Sequence, residues 1–353
     1  MPTWTRTPSP VSSWRRWATW PWPSSRASTD HAVNDEGAIQ PDGSFSYASI
    51  RSNAMAIEEA AIVARNPDIV GENPLWNPDD QRLYWTDNRS LRVHCLDPAT
   101  GAVETVVEGH PFYAFTLQTD GSLLLFMDRT RVGAAQTGGP VGLVIDGLPG
   151  EGEARFNDVV ADRSGRVVAG VIPPEGGTGS LYSVGTDGSA ALLAGGIEMP
   201  NGMAFSSDDR LLYVAETRGR RIALFDYDLD SGTVSNRRVF IDLSGGEGGS
   251  PDGITLDADG CLWVALSGGW SVVRYDPSGV EMTRVEFPAR KITSIGFGDG
   301  DLSTAYVTSS SRQSVPGEEI GPEGGALFAF RPGVAGVPEH RSSVSVEGGL
   351  PIR

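Results

Sequence analysis

The chain has 353 residues and a formal net charge of −17, and it contains 45 Gly and 24 Pro. This length allows two average domains or one large all-β domain, and so much Gly and Pro suits many short strands joined by turns. The negative charge argues against a nucleic-acid partner, which would need a basic face, and against docking on anionic lipid. The sequence has no apolar run of about 18 residues, so we expect no membrane span.

The N-terminal residues differ in composition from the rest of the chain. Five of the nine tryptophans lie within residues 1–22, among Ser, Pro, Thr and Arg and without any helical or alternating period. Arg15 and Arg16 resemble a twin-arginine export signal, but prolines interrupt the apolar stretch that should follow. We therefore predict a disordered extension or mis-assigned start over 1–54, a single domain over 55–353, and a cytoplasmic protein.

From residue 76 onwards one pattern recurs roughly every 40 to 50 residues. A polar turn leads into a β-prone run, and most units carry a second pair of strands around a turn such as DPATG (97–101) or DPSG (276–279). The equivalent apolar positions are Leu83, Leu123, Val167, Leu212, Leu262 and Ala305. Six units of four strands predict an all-β fold, a six-bladed β-propeller with four-stranded blades. The best candidate for a helix is 56–65, which precedes the repeats.

Cysteine and histidine offer no site of their own. Cys95 and Cys261 lie far apart in apolar runs, so we expect buried thiols. The four histidines fit no zinc motif, and His94, on a predicted strand, is interpreted as a packed or surface residue. A serine nucleophile elbow and a phosphate-binding loop are also missing from the sequence.

Four loop motifs stand just ahead of the β-prone runs, each in a different repeat. They are G-E-N-P-L-W (71–76), R-F-N-D (155–158), P-N-G-M-A-F (200–205) and P-D-G-I-T-L-D (251–257). Each motif therefore begins an innermost strand, and the strands of a propeller converge on the central channel. Each contributes one oxygen ligand, and these are Glu72, Asn157, Asn201 and Asp252. Taken singly, each residue could simply belong to a turn or loop. Because the four occupy the same position in four different repeats, they predict a metal site.

The four motifs resemble those of the senescence marker protein (regucalcin)/gluconolactonase/luciferin-regenerating enzyme family. That family's pattern is G-E-G-P-x-W, R-x-N-D, P-N-G and P-D-G, in this order, and the resemblance covers about residues 66–340. It implies a six-bladed propeller with one divalent metal at the mouth of the channel. The sequence departs from the family at Asn73, Val159 and Glu216, where the family has or often has Gly, Gly and Asp.

The resemblance also implies a role for each site residue. Glu72, Asn201 and Asp252 match direct metal ligands. Asn157 matches a residue that binds the metal or reaches substrate and water, and Arg155 matches one that contacts substrate oxygens. Asp252 further matches the family's candidate for accepting the proton of the attacking water. The implied catalytic set is therefore Asp252, Asn157 and Arg155.

The expected function is metal-dependent hydrolysis of a sugar lactone or other cyclic ester, so the expected partner is a small-molecule substrate. The expected cofactor is one divalent ion, Ca²⁺ first, with Mg²⁺, Mn²⁺ and Zn²⁺ as alternatives. Two other functions stay open: phosphotriester hydrolysis on the same scaffold, and a non-catalytic calcium-binding propeller. A polar pair of Arg155 and Asp158 would favour catalysis. The oligomeric state stays open, and candidates for the channel mouth are Phe112, Tyr113, Phe115, Trp270 and residues 173–179.

Overall fold

The strands follow one another along the chain, and most of them are joined by short turns. The computed structural model describes residues 59–65, 68–174, 176–246, 248–346 and 350–351. The first strand is β1 (Ala61–Ala64). The predicted extension 1–54 lies outside the described residues, and no helix occurs among those that are described.

After β1 the strands come in successive groups. The first two groups are β2 (Gly71–Asn77), β3 (Arg82–Asp87), β4 (Arg92–Asp97), β5 (Ala102–Glu108), then β6 (Phe112–Leu117), β7 (Leu123–Met127), β8 (Val132–Ala135), β9 (Gly142–Ile145). The next two are β10 (Arg155–Ala161), β11 (Val167–Ile172), β12 (Gly179–Val184), β13 (Ala190–Ile197), then β14 (Pro200–Phe205), β15 (Leu211–Glu216), β16 (Arg221–Asp228), β17 (Thr233–Asp242). The last strands are β18 (Ser250–Leu256), β19 (Leu262–Ser267), β20 (Ser271–Tyr275), β21 (Glu281–Glu286), β22 (Lys291–Gly298), β23 (Thr304–Ser310), β24 (Leu327–Phe330) and β25 (Leu350–Pro351).

Antiparallel hydrogen bonding joins the described strands into five sheets. Strands β2–β5, β10–β13 and β14–β17 form four-stranded sheets, and β6–β9 form a five-stranded sheet with β25. The eight-stranded sheet contains β18–β24 and β1, and β19 meets β22 in it through the pairing of Ser267 with Lys291. The all-β, propeller-like arrangement confirms that part of the prediction, while five sheets do not by themselves give six blades.

The first strand of each group lies at the centre of the molecule. Strands β2, β6, β10, β14, β18 and β22 contact one another in that cyclic order, and β22 contacts β2 again. The central cavity is lined from every one of these strands, by residues that include Asn73, Phe115, Asp158, Met203, Ile254 and Ser294. The ring of strands thus encloses a channel, as expected for a propeller.

The core lies between neighbouring sheets. The six apolar positions predicted to be equivalent, Leu83, Leu123, Val167, Leu212, Leu262 and Ala305, are no more than 1 % exposed. They lie on β3, β7, β11, β15, β19 and β23, the second strand of each group. Aromatic rings also bridge adjacent groups: Phe126 of β7 packs edge-on against Phe156 of β10, with ring centroids 5.1 Å apart. Each sheet buries its faces against its neighbours, since it could not bury both alone.

The predicted helix 56–65 is wrong over the residues that the structure describes. Its start, 56–58, lies outside them, and Ala61–Ala64 is strand β1, which pairs antiparallel with β24 through Ala61–Ala329 and Ile62–Phe328. The local Ala-rich sequence favours a helix, but β24 offers an unpaired edge that β1 covers. The N-terminal strand therefore completes a sheet built from the C-terminal part of the chain.

Residues 335–345 cross the end of the ring opposite to the four motifs. Their hydrogen bonds to the ring include Ala258 N to Ala335 O, Thr119 N to Ser342 O and Ser343 N to Gly165 O, each 2.9 Å long. The ring residues of these bonds come after the ends of β18, β6 and β10. Glu339 and His340 of this segment line the central cavity. The segment therefore spans the far end of the channel.

Two further predictions concern single residues. Cys95 and Cys261 are free, buried thiols, which confirms their interpretation. His94 is buried and packs against the Trp85 ring, with centroids 5.2 Å apart, so it is a packed residue. The described part of the chain contains no helix with the length and hydrophobicity that a membrane span requires.

Candidate active site and metal centre

Each of the four motifs coincides with an irregularity in the pairing of an innermost strand. The register shifts lie between Glu72 and Leu75, Phe156 and Val159, Pro200 and Met203, and Pro251 and Ile254. A β-bulge leaves a residue unpaired and re-aims its side chain. The predicted ligands Glu72, Asn157, Asn201 and Asp252 all lie within or at the edge of these bulges. Since the bulges occupy the same place in a repeated arrangement, they lie at one end of the ring.

The two carboxylates of the set lie close enough to influence each other. Burial raises the pKa of Glu72 well above its usual range, and the charges of Asp252 and Asp158 raise it further. Burial likewise raises the pKa of Asp252, with Asp158 adding to the effect and the side chains of Asn201 and Ser267 opposing it. The side chain of Asp252 is 7 % exposed, and its Oδ1 is buried without a hydrogen-bond partner. The structure therefore brings negative charges together at this end of the channel.

The two asparagines are oriented by hydrogen bonds to neighbouring groups. Asn157 Nδ2 donates to Pro200 O (2.9 Å) at the start of β14. Asn201 Nδ2 donates to Thr217 Oγ1 (3.0 Å), whose hydroxyl donates to Pro251 O (2.8 Å) at the start of β18. Because both amide nitrogens are engaged in this way, each side chain has only its amide oxygen to offer to a cation or substrate, and the Asn157 oxygen also accepts a hydrogen bond from Arg155.

Arg155 lies beside these groups at the start of β10. Its Nη1 donates to Asn157 Oδ1 (2.8 Å) and Phe156 O (2.9 Å), and its guanidinium lies 4.3 Å from the centroid of the Tyr113 ring. The expected polar pair with Asp158 is not formed. Asp158 Oδ1 instead accepts a hydrogen bond from Val159 N (2.7 Å), and burial raises the pKa of Asp158 to about 7. Asp158 is therefore a residue of the channel wall rather than the partner of Arg155.

Comparison with known proteins identifies the family. A family model described as "SMP-30/Gluconolactonase/LRE-like region" matches residues 70–311. The chain belongs to this family. The matched range contains all four motifs, and the resemblance predicted from them is confirmed.

Three members show how closely the chain follows the SMP-30/gluconolactonase family. Pentonolactonase XacC of Haloferax volcanii is 40 % identical over 286 residues, which cover 78 % of this chain and 95 % of that protein. The 6-deoxy-6-sulfogluconolactonase of Pseudomonas putida is 34 % identical over 288 residues, with coverages of 80 % and 98 %. The solved structure of a calcium-binding protein, regucalcin, from Agrobacterium tumefaciens has a TM-score of 0.73 at 27 % identity, with coverages of 81 % and 97 %.

The donor set fits a hard divalent cation, as the family implies. It combines two carboxylates with two amide oxygens, and Asp252 Oδ1 has no other partner in its buried position. Oxygen ligands of this kind suit Ca²⁺ and Mg²⁺. Among the described residues no three His, Cys, Asp or Glu side chains are grouped to hold a metal, so amides have to complete any such site.

The candidates for the channel mouth divide into two kinds. Phe112 and Phe115 are fully buried core residues, whereas Tyr113 and Trp270 are half-buried. Of these, Tyr113 reaches the site through Arg155. The loop 173–179 includes one residue, 175, that lies outside the described residues. Aromatic residues in a strand can face the core or the channel, and the sequence alone does not distinguish the two.

Thr217 belongs to the site although the sequence did not point to it. Its hydroxyl stands between Asn201 and the P-D-G motif, where it receives one hydrogen bond and donates the next. The signal in the sequence is its place directly after β15, in Ala-Glu-Thr, opposite the P-N-G motif. The neighbouring Glu216, where the family usually has Asp, is fully buried and forms ion pairs with Arg221 and Arg237.

Proposed function

We propose that this chain hydrolyses a sugar lactone with one divalent cation held by Glu72, Asn157, Asn201 and Asp252. The observation that carries the proposal is the buried, unpartnered Oδ1 of Asp252, close to the carboxylate of Glu72. Two buried carboxylates side by side are costly, and the charge of Arg155 opposes the rise in the pKa of Glu72 without cancelling it, so the arrangement favours binding of a cation. The two relatives named as lactonases support the substrate class.

Ca²⁺ is the first candidate for the ion. All four donors are hard oxygens, and a similar solved structure is described as a calcium-binding protein. Mg²⁺, Mn²⁺ and Zn²⁺ are the alternatives to be compared with it. When bound, the cation would polarise the ester carbonyl and lower the pKa of a water molecule.

Each side chain has a separate task in the proposed reaction. Asp252 accepts the proton of the attacking water, which a carboxylate with two oxygens can do beside its role as a ligand. Arg155 donates hydrogen bonds to substrate oxygens and stabilises developing negative charge. Asn157 holds the Arg155 guanidinium in place through its Oδ1 and so orients it toward the channel.

The proposed architecture is a single six-bladed propeller domain. The ring of six first strands supports this count. In a six-bladed propeller the eight-stranded sheet comprises two blades, β18–β21 and β22–β24 with β1. One pair of residues, Ser267 and Lys291, links these two blades.

The experiment is a metal-controlled assay of neutral sugar lactones, with a phosphotriester in parallel. We expect chelation to abolish lactone turnover and Ca²⁺ to restore it. Asp252→Asn should lower kcat by about 10²–10⁴-fold, the usual contribution of a general base. The matched control is Asp230→Asn, an exposed carboxylate in the β16–β17 turn, which should behave as wild type.

The same variant tests metal binding without reference to turnover. In the metal-free protein, Asp252→Asn should raise the free energy of unfolding by about 1–3 kcal/mol, because a neutral amide replaces a carboxyl group whose ionisation burial opposes. The stabilisation by Ca²⁺, about 2.7 kcal/mol at a hundredfold excess over Kd, should disappear in the variant. Calcium binding without lactone turnover would contradict the catalytic proposal. Turnover of the phosphotriester alone would show that the substrate is a phosphotriester and not a lactone.

A further inference from the structure

Two arginines outside the motifs lie near Arg155. Arg89 is in the turn between β3 and β4, and Arg312 follows the end of β23. Both side chains are exposed. They come from distant parts of the sequence, so the fold alone brings them together.

Both arginines are fixed to one short segment that leads into Glu72. The Asp87 carboxylate accepts hydrogen bonds from Ile69 N (3.0 Å), Val70 N (3.1 Å) and Arg89 N (3.0 Å). On the other side of the same segment, Arg312 N donates to Ile69 O (3.2 Å). The backbone at each arginine is therefore held beside the start of β2.

A lysine fixes the position of Arg312 further. Lys291 Nζ donates to Arg312 O (2.8 Å) and also to Glu318 Oε2 (2.8 Å). The backbone of Arg312 is thus bound at both its N–H and its carbonyl, while its guanidinium stays outside these contacts. Glu318, the carboxylate that could otherwise attract it, is taken up by Lys291.

The positive charges act on one another at the mouth of the channel. Burial lowers the pKa of Arg155, and the charges of Arg89 and Arg312 lower it further, against the opposing effects of Tyr113 and Glu72. Among the described residues none of these three guanidiniums forms an ion pair with a carboxylate. A local group of unpaired cations is thus present on a chain whose net charge is −17.

We propose that Arg89 and Arg312, together with Arg155, bind an anionic group on the substrate, so that the enzyme takes a lactone carrying a phosphate, sulfonate or carboxylate. This inference rests on the proposed function of the same site. Guanidinium groups bind oxyanions with paired, directed hydrogen bonds. The net negative charge of the chain disfavours an anionic substrate overall, so a local group of arginines is needed to attract one. In this proposal Arg155, which contacts Asn157, serves the reacting part of the substrate, and the exposed Arg89 and Arg312 bind its anionic group.

The test compares two lactones that differ by one anionic group, gluconolactone and its 6-phosphate. In the calcium-loaded wild type, kcat/KM should be higher for the phosphorylated lactone. Arg89→Gln or Arg312→Gln should each lower the ratio of the two kcat/KM values by about three- to fivefold, the scale of an exposed ion pair. The double variant should lower the ratio further, and high ionic strength should remove most of the difference. The control is Arg238→Gln, which removes an exposed arginine paired with Asp226 on the outer strands and should leave the ratio unchanged.

A binding measurement separates this inference from the proposed reaction. Calorimetry with 6-phosphogluconate and gluconate should show tighter binding of the phosphate, and the double variant should lose the difference. If neither lactone is turned over but this preference is found, the anion site stands and the hydrolase proposal fails. If both lactones are hydrolysed with a ratio that the double variant leaves unchanged, the anion site is overturned. Equal binding of both acids by the wild type would also overturn it.

Discussion

Asn73 shows how a single residue joins two innermost strands. Its backbone φ is 55°, in the left-handed region that Gly adopts freely and that Asn tolerates better than most residues. The family's first motif has Gly at this place. Here the Asn73 side chain adds a contact that Gly cannot make, because its Oδ1 accepts a hydrogen bond from Phe115 N (2.8 Å) in β6. The departure from the family pattern is thus compatible with the same backbone.

This contact predicts an order of stability among variants of Asn73. Asn73→Ala should lower the free energy of unfolding by about 1–3 kcal/mol, because it leaves Phe115 N unpaired and keeps a Cβ at positive φ. Asn73→Gly loses the same hydrogen bond but relaxes the backbone, so its loss should be smaller. Urea unfolding of the three metal-free proteins measures the order. Equal stability of Asn73→Ala and wild type would refute the role of this bridge.

At the scale of elements, a buried carboxylate fastens the end of β15. Glu216 Oε2 accepts hydrogen bonds from Arg221 Nη2 (2.8 Å) and Glu198 N (3.0 Å), and its Oε1 accepts one from Arg237 Nη2 (2.6 Å). Burial alone would raise its pKa, but the bonds from Arg221, Glu198 and Arg237 outweigh burial and lower it. The carboxylate therefore ties β15 to β16, to β17 and to the turn between β13 and β14.

The lowered pKa of Glu216 gives a defined pH dependence of stability. A carboxyl group with a depressed pKa in the folded state stabilises the fold above its unfolded pKa, here about 4.5, and loses this contribution as the pH falls through the folded pKa. Glu216→Gln should therefore be less stable than wild type by about 1.5–3 kcal/mol at neutral pH, the value of hydrogen bonds to a charged group. Below the folded pKa the difference should shrink. Denaturant unfolding at several pH values checks this, and a constant difference would contradict it.

The strands and the candidate site differ in how far the sequence predicts them. The polar turns carry strong local signals, and each of the six predicted β-prone runs is a strand, which the structure shows to be the second of its group. Strand β1 was mistaken for a helix because its pairing with β24 depends on residues far away in the chain. The four proposed ligands share one position in the sequence repeat, whereas Arg89 and Arg312 lie outside the strands in segments without a motif. Their proximity depends on how the segment at Ile69 is packed, which no local pattern encodes.

For the whole molecule, the two ends of the channel have different roles. The four motifs lie at one end, and residues 335–345 cross the other end with hydrogen bonds to turns after β6, β10 and β18. Because this segment touches several groups of strands at once, it couples them in a way that neighbouring sheets alone do not. Together with β1, it shows that both terminal parts of the described chain fasten the ring.

Substitution of Gly165 allows the contribution of residues 335–345 to the stability of the fold to be measured. It has a φ of +85°, and a Cβ added there would lie 2.9 Å from Ser343 Cβ and closer still to Ser343 Oγ. Gly121 has a φ of +82° in the corresponding turn after β6, with nothing within 4 Å of an added Cβ. The two turns share their hydrogen bonding, Gly165 N to Asp162 O and Gly121 N to Gln118 O.

Gly121→Ala therefore measures the cost of positive φ alone, about 1–2 kcal/mol. Gly165→Ala should cost more, because Ser343 must move and loosen the segment. Hydrogen exchange of residues 335–345 should rise in Gly165→Ala and stay unchanged in Gly121→Ala. Ser343→Gly removes the clashing side chain, so the double variant with Gly165→Ala should recover the excess loss, which a double-mutant cycle quantifies. If both alanine variants lose the same free energy of unfolding, the crossing segment adapts without cost and does not stabilise the ring.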